Sequence, residues 1–307
     1  MSVPRAAILT SGGDSPGTNA AIWAATQHLE RAGWSVLGVR DGFAGLLRGD
    51  LSALETSHAL RFARRGGTML GTSRVADFGA QVPAAIQHLE AHTVTALVVL
   101  GGNGSLRGAA GLARAGVPVV GLPATIDNDV NGSDDSIGFD SAVTLGLHLL
   151  DALRDTLESL PRLAALETLG GDTGFLAQHI GTVGGADALL LPEHSLEPEV
   201  LEATVRAATE RQGFALVVAS EGYPNLEGTL LDLERRTGQR LRFSRPSHAM
   251  RGGTPSAHDR ALAWTLGTAT AQTVLEGQSG FVAAQGGRAV RLELSEVHTR
   301  KWLEPMF

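Results

Sequence analysis

Two carboxylates and a hydroxyl fall within five residues in the run Pro123-Ala124-Thr125-Ile126-Asp127-Asn128-Asp129, which follows an apolar, strand-like stretch at 117–122. Buried carboxylates are costly unless paired or used. The spacing puts Asp127 and Asp129 on one side of the chain if the backbone is extended. An Asn-Asp turn that only caps a helix is the structural alternative. Two glycine-rich turns also follow apolar runs: Ser11-Gly12-Gly13-Asp14-Ser15-Pro16-Gly17 and Gly101-Gly102-Asn103-Gly104-Ser105. Three such turns at strand ends can face one crevice in a parallel sheet. They would offer backbone N–H groups to phosphates, and carboxylates to a metal and a proton. That chemistry is phosphoryl transfer.

Lys301 is the only lysine among the 25 lysine and arginine residues. A Walker-type loop needs a lysine beside its glycines, so that class is excluded. Arginine, histidine, backbone amides or a metal must hold any anionic substrate, and the planar guanidinium grips phosphate in a bidentate way. Late in the chain, His248-Ala249-Met250-Arg251-Gly252-Gly253-Thr254-Pro255 joins two such cations to paired glycines. Asp259-Arg260 behind it reads as a structural ion pair. His28, His58, His88, His92, His148, His179 and His194 show no paired metal spacing. Trp23, Trp34, Trp264 and Trp302 read as core or interface residues.

These residues need a scaffold that brings strand ends together, and the pattern supplies one. Strands are predicted at 6–10, 35–39, 93–100, 117–122, 163–168, 188–191 and 214–220. Helices are predicted at 19–32, 106–115, 139–153, 175–181, 197–212, 228–237 and 256–276, with a hairpin over 281–294. Alternation of this kind predicts an α/β chain: two doubly wound domains with mostly parallel sheets. The chain has 307 residues, enough for one big or two modest domains. Hydrophobic content of 43% and charged content of 19% are those of a globular protein, and the formal charge of −7 argues against a nucleic-acid partner. The absence of cysteine excludes disulfides, thiol nucleophiles and cysteine metal sites. No apolar run approaches a membrane span, and the N-terminus enters Ala6-Ala7-Ile8-Leu9 too soon for a signal peptide. The expected location is cytoplasmic, with no membrane partner.

Taken together, the residues resemble the ATP-dependent 6-phosphofructokinase family of the bacterial type, over almost the whole chain. The resemblance is carried by Leu9–Gly17 with Asn19-Ala20-Ala21-Ile22, by Gly66-Gly67-Thr68-Met69-Leu70-Gly71-Thr72-Ser73-Arg74, and by Thr125-Ile126-Asp127-Asn128-Asp129. Ile137-Gly138-Phe139-Asp140, Glu221-Gly222 and the 248–255 run with Asp259-Arg260 complete it. It implies that Asp127 is the general base toward the sugar 1-hydroxyl and that Thr125 contacts the transferring phosphate. It implies that Gly12, Arg74, Asn103, Gly104 and Ser105 face ATP, and that Asp129, with position 103, stands near Mg²⁺. It implies a fructose 6-phosphate site of Thr125, Asp127, Arg162, Glu221, Arg242, His248 and Arg251. Arg162 and Arg242 are residues that reach a neighbouring subunit in the family, so a homo-oligomer, usually a tetramer, is implied. The implied domains are 1–139 plus 252–300 for the nucleotide and 140–251 plus 301–307 for the sugar phosphate.

Departures from the family pattern define the rival readings. Asn103 stands where the family has an aspartate that helps hold Mg²⁺, and Gly171 stands where it has an arginine. Trp23, Gln27, Gly213 and Phe214 replace basic residues of the usual effector site, where Arg154 persists. A weakly active or inactive sugar-phosphate-binding regulatory paralogue is therefore the alternative to a glycolytic kinase. A pyrophosphate-dependent enzyme would typically carry aspartate in place of Gly104 and lysine in place of Ala124. A kinase for another sugar phosphate is the remaining alternative.

Overall fold

The computed structural model of the chain describes residues 3–298 and 300–303, so 304–307 of the expected second span lie outside it. The backbone groups into two units. One runs to Thr125, resumes over Asp129–Ser141 and closes with Arg251–Lys301; the other takes Ile126–Asn128, Ala142–Met250 and, among described residues, 302–303.

The first unit opens with β1 (Arg5–Thr10), α1 (Thr18–Arg31), β2 (Ser35–Val39), α2 (Gly42–Arg48), β3 (Leu51–Ala53), α3 (Thr56–Phe62), α4 (Phe78–Ala91), β4 (Ala96–Gly101), α5 (Asn103–Arg114) and β5 (Val119–Pro123). The chain continues through α6 (Phe139–Ser159), β6 (Leu163–Thr168), α7 (Phe175–Val183), β7 (Ala188–Leu190), α8 (Pro198–Gln212), β8 (Ala215–Ser220), α9 (Leu226–Thr237) and β9 (Leu241–Ser244). A 3₁₀ turn over Ser247–Arg251 leads to α10 (Ala257–Leu275), β10 (Gly280–Gln285) and β11 (Arg288–Leu292).

The seven-stranded sheet of the first unit has the order β11-β10-β5-β4-β1-β2-β3. Its five central strands pair in parallel, and the antiparallel β2–β3 and β10–β11 pairs close its two edges. Alternate side chains of one strand enter different cores, as the two-residue period of a strand requires. Ala6 and Ile8 of β1 pack with α1, α3 and α10, whereas Ala7 and Leu9 pack with α2, α4 and α5. Helices thus cover both faces, which makes the sheet doubly wound. The second unit has a four-stranded sheet, β7-β8-β6-β9, parallel throughout. Leu163, Ala165, Val217 and Ala219 of that sheet pack with Leu201 and Val205 of α8 and Leu230 and Leu233 of α9.

The hairpin expected over 281–294 is present as β10–β11 in register Phe281↔Leu292. The strand expected from 93 begins instead at Ala96, because Thr93 takes a left-handed φ of 54° just past the end of α4. Nor is the Asp127–Asp129 segment extended. Residues 126–127 form a turn and Asn128 has φ 53°, so the condition for both carboxylates to share a side is not met.

Candidate active site

In the first unit the strands β5, β4 and β1 are adjacent, and the loops after all three carry candidate residues. The chain leaves β1 toward β2 on one side and enters β4 and β5 on the other. That reversal of strand order is where open α/β sheets place their ligands. The glycine loops are joined there by backbone hydrogen bonds. Ser11 N–H donates to Leu100 O at 3.0 Å, and Ala124 N–H donates to Gly101 O at 3.1 Å. A Cβ built on Gly12 would lie 3.1 Å from Ser105 Oγ, and one on Gly102 would lie 3.4 Å from Thr125 Cβ. Gly12, Gly102, Ser105 and Thr125 therefore form one small cluster. Ser105 and Thr125 are buried and Gly104 is exposed.

Asn103 starts α5 rather than sitting in a free turn, so the backbone N–H groups of a helix N-terminus accompany the second glycine loop. The segment from Gly66 to Arg74 is stitched to the first glycine turn. Thr72 Oγ1 donates to Gly12 O at 2.7 Å, Gly12 N–H donates to Ser73 O at 3.2 Å, and Thr10 Oγ1 donates to Gly71 O at 2.7 Å. Buried Asn19 holds the same segment from α1. Its Nδ2 donates to Arg65 O at 3.1 Å, and its Oδ1 accepts from Met69 N–H at 2.7 Å. Arg74, at the end of this segment, is exposed.

Arg251 stands against the first glycine turn. A Cβ on Gly13 would fall 1.8 Å from Arg251 Nη1, so only glycine allows the guanidinium this seat. Arg251 Nε is buried without a hydrogen-bond partner.

The residues expected near a metal do not make a metal cage. Asp129 Oδ2 lies 3.1 Å from Arg300 Nε, with the carboxylate side chain 8% exposed. Asp129 O accepts from Asn103 Nδ2 at 3.2 Å and from Lys301 N–H at 2.9 Å. Asn103 Oδ1 is buried and has no partner, which leaves one neutral oxygen donor. Mg²⁺ prefers carboxylates and water. Among the described residues no group of three His, Cys, Asp or Glu side chains could hold a metal ion. A neutral amide and an arginine-paired carboxylate do not fit a divalent cation held by the protein.

The second unit carries the other candidates. Glu221 Oε1 accepts from Gly170 N–H at 3.2 Å and Gly171 N–H at 2.9 Å, so the carboxylate fixes the turn after β6. Gly171 has φ 61°, and a Cβ there would lie 3.8 Å from Asp127 Oδ2. An arginine at this position would have space but a left-handed backbone, a cost of roughly 1–2 kcal/mol. Arg162 precedes β6 and donates from Nε to Leu160 O at 3.3 Å. Arg242 lies on β9 opposite Ala164, which brings the two arginines to the same end of the sheet. Arg242 and His248 are exposed.

Of two further residues that matter here, one departs from its expected ion pair and the other escaped the sequence reading. Asp259 forms no ion pair with Arg260; it is fully buried and accepts from Gly138 N–H at 2.8 Å, Ser141 N–H at 2.7 Å and Ser141 Oγ at 2.5 Å. Arg260 Nε donates to Pro255 O instead. Burial pushes the Asp259 carboxyl above its ordinary range, against those hydrogen bonds, which pull it down. A signal was available, since Ser256 precedes Asp259 by three residues, the spacing of a capping box; Ser256 Oγ accepts from Asp259 N–H at 3.1 Å. Arg300 had no such signal. It reaches Asp129 because Val130 and Arg300 form an antiparallel bridge.

Comparison with known proteins identifies this architecture. The phosphofructokinase family matches residues 5–274. The ATP-dependent 6-phosphofructokinase of Listeria monocytogenes serotype 4b is 37% identical over 301 residues, covering 97% of this chain and 94% of its own. ATP-dependent 6-phosphofructokinase 1 of Thermus thermophilus is 38% identical over 288 residues, covering 92% and 89%. The crystal structure of Pichia pastoris phosphofructokinase in the T-state superposes with a TM-score of 0.92 at 29% identity, over 97% of this chain and 36% of that longer one. The pyrophosphate-dependent phosphofructokinase of Marinobacter aquaeolei, at 22% identity and a TM-score of 0.88, shares the fold. With its doubly wound sheets and its strand-end glycine loops, the chain belongs to the phosphofructokinase family.

Proposed function

We infer that this chain transfers the γ-phosphoryl group of ATP to the 1-hydroxyl of fructose 6-phosphate, giving fructose 1,6-bisphosphate and ADP, a step of glycolysis. The observation that carries this reading is the convergence of Gly12, Gly102, Ser105 and Thr125 at the strand-order reversal, with Asp127 two residues beyond Thr125. In the first unit, Gly12, Arg74, Gly104 and Ser105 receive the nucleotide, with Asn103 at the start of α5. Arg251 brings its charge to the first glycine turn. In the second unit, Glu221 and His248 receive the sugar phosphate, and Arg162 and Arg242, at the opposite end of the sheet from Glu221, serve the sugar phosphate of a neighbouring copy. Asp127 takes the proton of the 1-hydroxyl as its oxygen attacks the γ-phosphorus, and the bond to the β-phosphate oxygen breaks to release ADP. Thr125 steadies the phosphoryl group in transit. Phosphoryl transfer needs positioning and charge neutralisation more than covalent chemistry, and arginines serve both. The described residues do not build a cage for Mg²⁺. A homo-oligomer, with Arg162 and Arg242 turned to a neighbour, and a cytoplasmic location belong to the same proposal. No helix among the described residues is long and apolar enough to cross a membrane.

A second reading, the regulatory paralogue, is favoured by the buried neutral oxygen of Asn103 and by Gly171. One substitution separates the two. Asn103→Asp removes the 3.2 Å hydrogen bond to Asp129 O and buries a carboxylate. It should lower thermal stability without a divalent ion, and Mg²⁺ should restore it. If the kinase reading holds, kcat/KM should rise by about tenfold, about 1.4 kcal/mol of transition-state stabilisation. A melting curve unmoved by Mg²⁺ and no rise in rate, beside tight fructose 6-phosphate binding, would favour the regulatory paralogue.

A further inference from the structure

The second glycine loop carries a cation that the mechanism above does not use. Arg107 lies one turn into α5, three residues beyond Gly104, and is exposed. A long side chain on a helix lies back over the preceding turn. The guanidinium does so here, since a Cβ built on Gly104 would fall 3.8 Å from Arg107 Nη2. It stands over the first turn of α5, the turn of Asn103, Gly104 and Ser105. Among the described residues no carboxylate lies within 4.0 Å of Arg107, and it makes no hydrogen bond.

The negative charges expected at this loop are missing or taken. Position 103 is an asparagine, and its buried Oδ1 is neutral. The Asp129 carboxylate lies 3.1 Å from Arg300 Nε, so its charge is matched. The loop is left with a free positive charge where an aspartate at position 103 would give a negative one. An aspartate there would repel a bare triphosphate until a divalent ion bridged the two. Asparagine removes that repulsion, and the start of α5 adds backbone N–H groups that favour an anion. A guanidinium grips phosphate oxygens in a bidentate way and keeps its charge at any working pH. We propose that Arg107 takes phosphate oxygens of ATP directly, so that the chain binds metal-free ATP about as tightly as ATP loaded with Mg²⁺. The proposal rests on the kinase reading above for the identity of the nucleotide. Arg107 is then a specificity-determining residue, and what it selects is the charge state of the phosphoryl donor.

The test is isothermal titration calorimetry of the whole protein with ATP, once in excess EDTA and once in excess Mg²⁺, with no sugar phosphate present. The expected result is saturable binding in both, with dissociation constants within about threefold of each other. Arg107→Gln should weaken metal-free ATP by about tenfold or more and Mg²⁺-loaded ATP by less, because the loaded form carries less negative charge. Glutamine is a good helix former at an exposed position, so the variant should fold. Arg107→Lys should recover part of the loss, since it returns the charge without the fork. Asn103→Asp should reverse the preference toward the Mg²⁺-loaded form. Metal-free ATP bound more than about tenfold more weakly than Mg²⁺-loaded ATP by the wild type would overturn the proposal and leave the kinase reading standing. So would an Arg107→Gln variant that loses both forms equally, or neither. Absence of ATP binding in either form would overturn both.

Discussion

Asp127→Asn should abolish most of kcat while leaving fructose 6-phosphate affinity near that of the wild type. The substitution preserves size and keeps the turn at 126–127, but an amide cannot accept the hydroxyl proton. General-base catalysis is commonly worth about 10²–10⁴ in rate, so a loss of that order is expected. Uniform binding is not the quantity that changes, which is why KM should hold while kcat falls. The position suits the role. Asp127 is half-buried and is held in a turn whose next residue, Asn128, has a left-handed φ of 53°. Steady-state kinetics and a separate binding titration check the outcome. Retention of more than about half the wild-type rate would rule the assignment out.

Asp259→Ala should cost about 3 kcal/mol or more of folding stability. The carboxylate serves three donors in a site fully closed to solvent, on Gly138 and Ser141. Truncation leaves those donors buried and unsatisfied, and each such group costs about 1–3 kcal/mol. The acid dependence has a definite sign. The folded carboxyl is raised above 3.8 by burial, so its ionised form carries a penalty at neutral pH. That penalty is relieved as pH falls through the folded value toward 3.8, since the folded state then binds the proton first. The stability difference between wild type and Asp259→Asn should therefore shift in favour of the wild type on moving from neutral pH toward pH 4. Guanidinium unfolding at a series of pH values measures it, and a constant difference would show that Asp259 does not titrate as described.

Both variants bear on residues that the sequence revealed unequally. Strands such as β2 and β6 were legible to the residue, because their runs are bounded by turn residues. The short elements α2, α3, β3 and β9 were not read, since seven or fewer residues give too little period. The helix α4 was hidden by Pro83 inside it. The glycine loops were legible because their composition is local. Arg251 on Gly13, Arg300 on Asp129 and Asp259 on Ser141 were not, because each joins residues more than a hundred positions apart. No local spacing encodes such a contact; the sheet order creates it.

The most direct measurement is a single turnover with the terminal phosphate of ATP isotopically labelled. The purified protein is mixed with fructose 6-phosphate and the product is read by ³¹P and ¹³C nuclear magnetic resonance. The account predicts label in the phosphoryl group carried on the carbon-1 oxygen of fructose 1,6-bisphosphate, that bridging oxygen being the sugar's own, together with one ADP per sugar, and no comparable product when pyrophosphate replaces ATP. Label that stays on ATP while fructose 6-phosphate is tightly bound, or that transfers only from pyrophosphate, would contradict it.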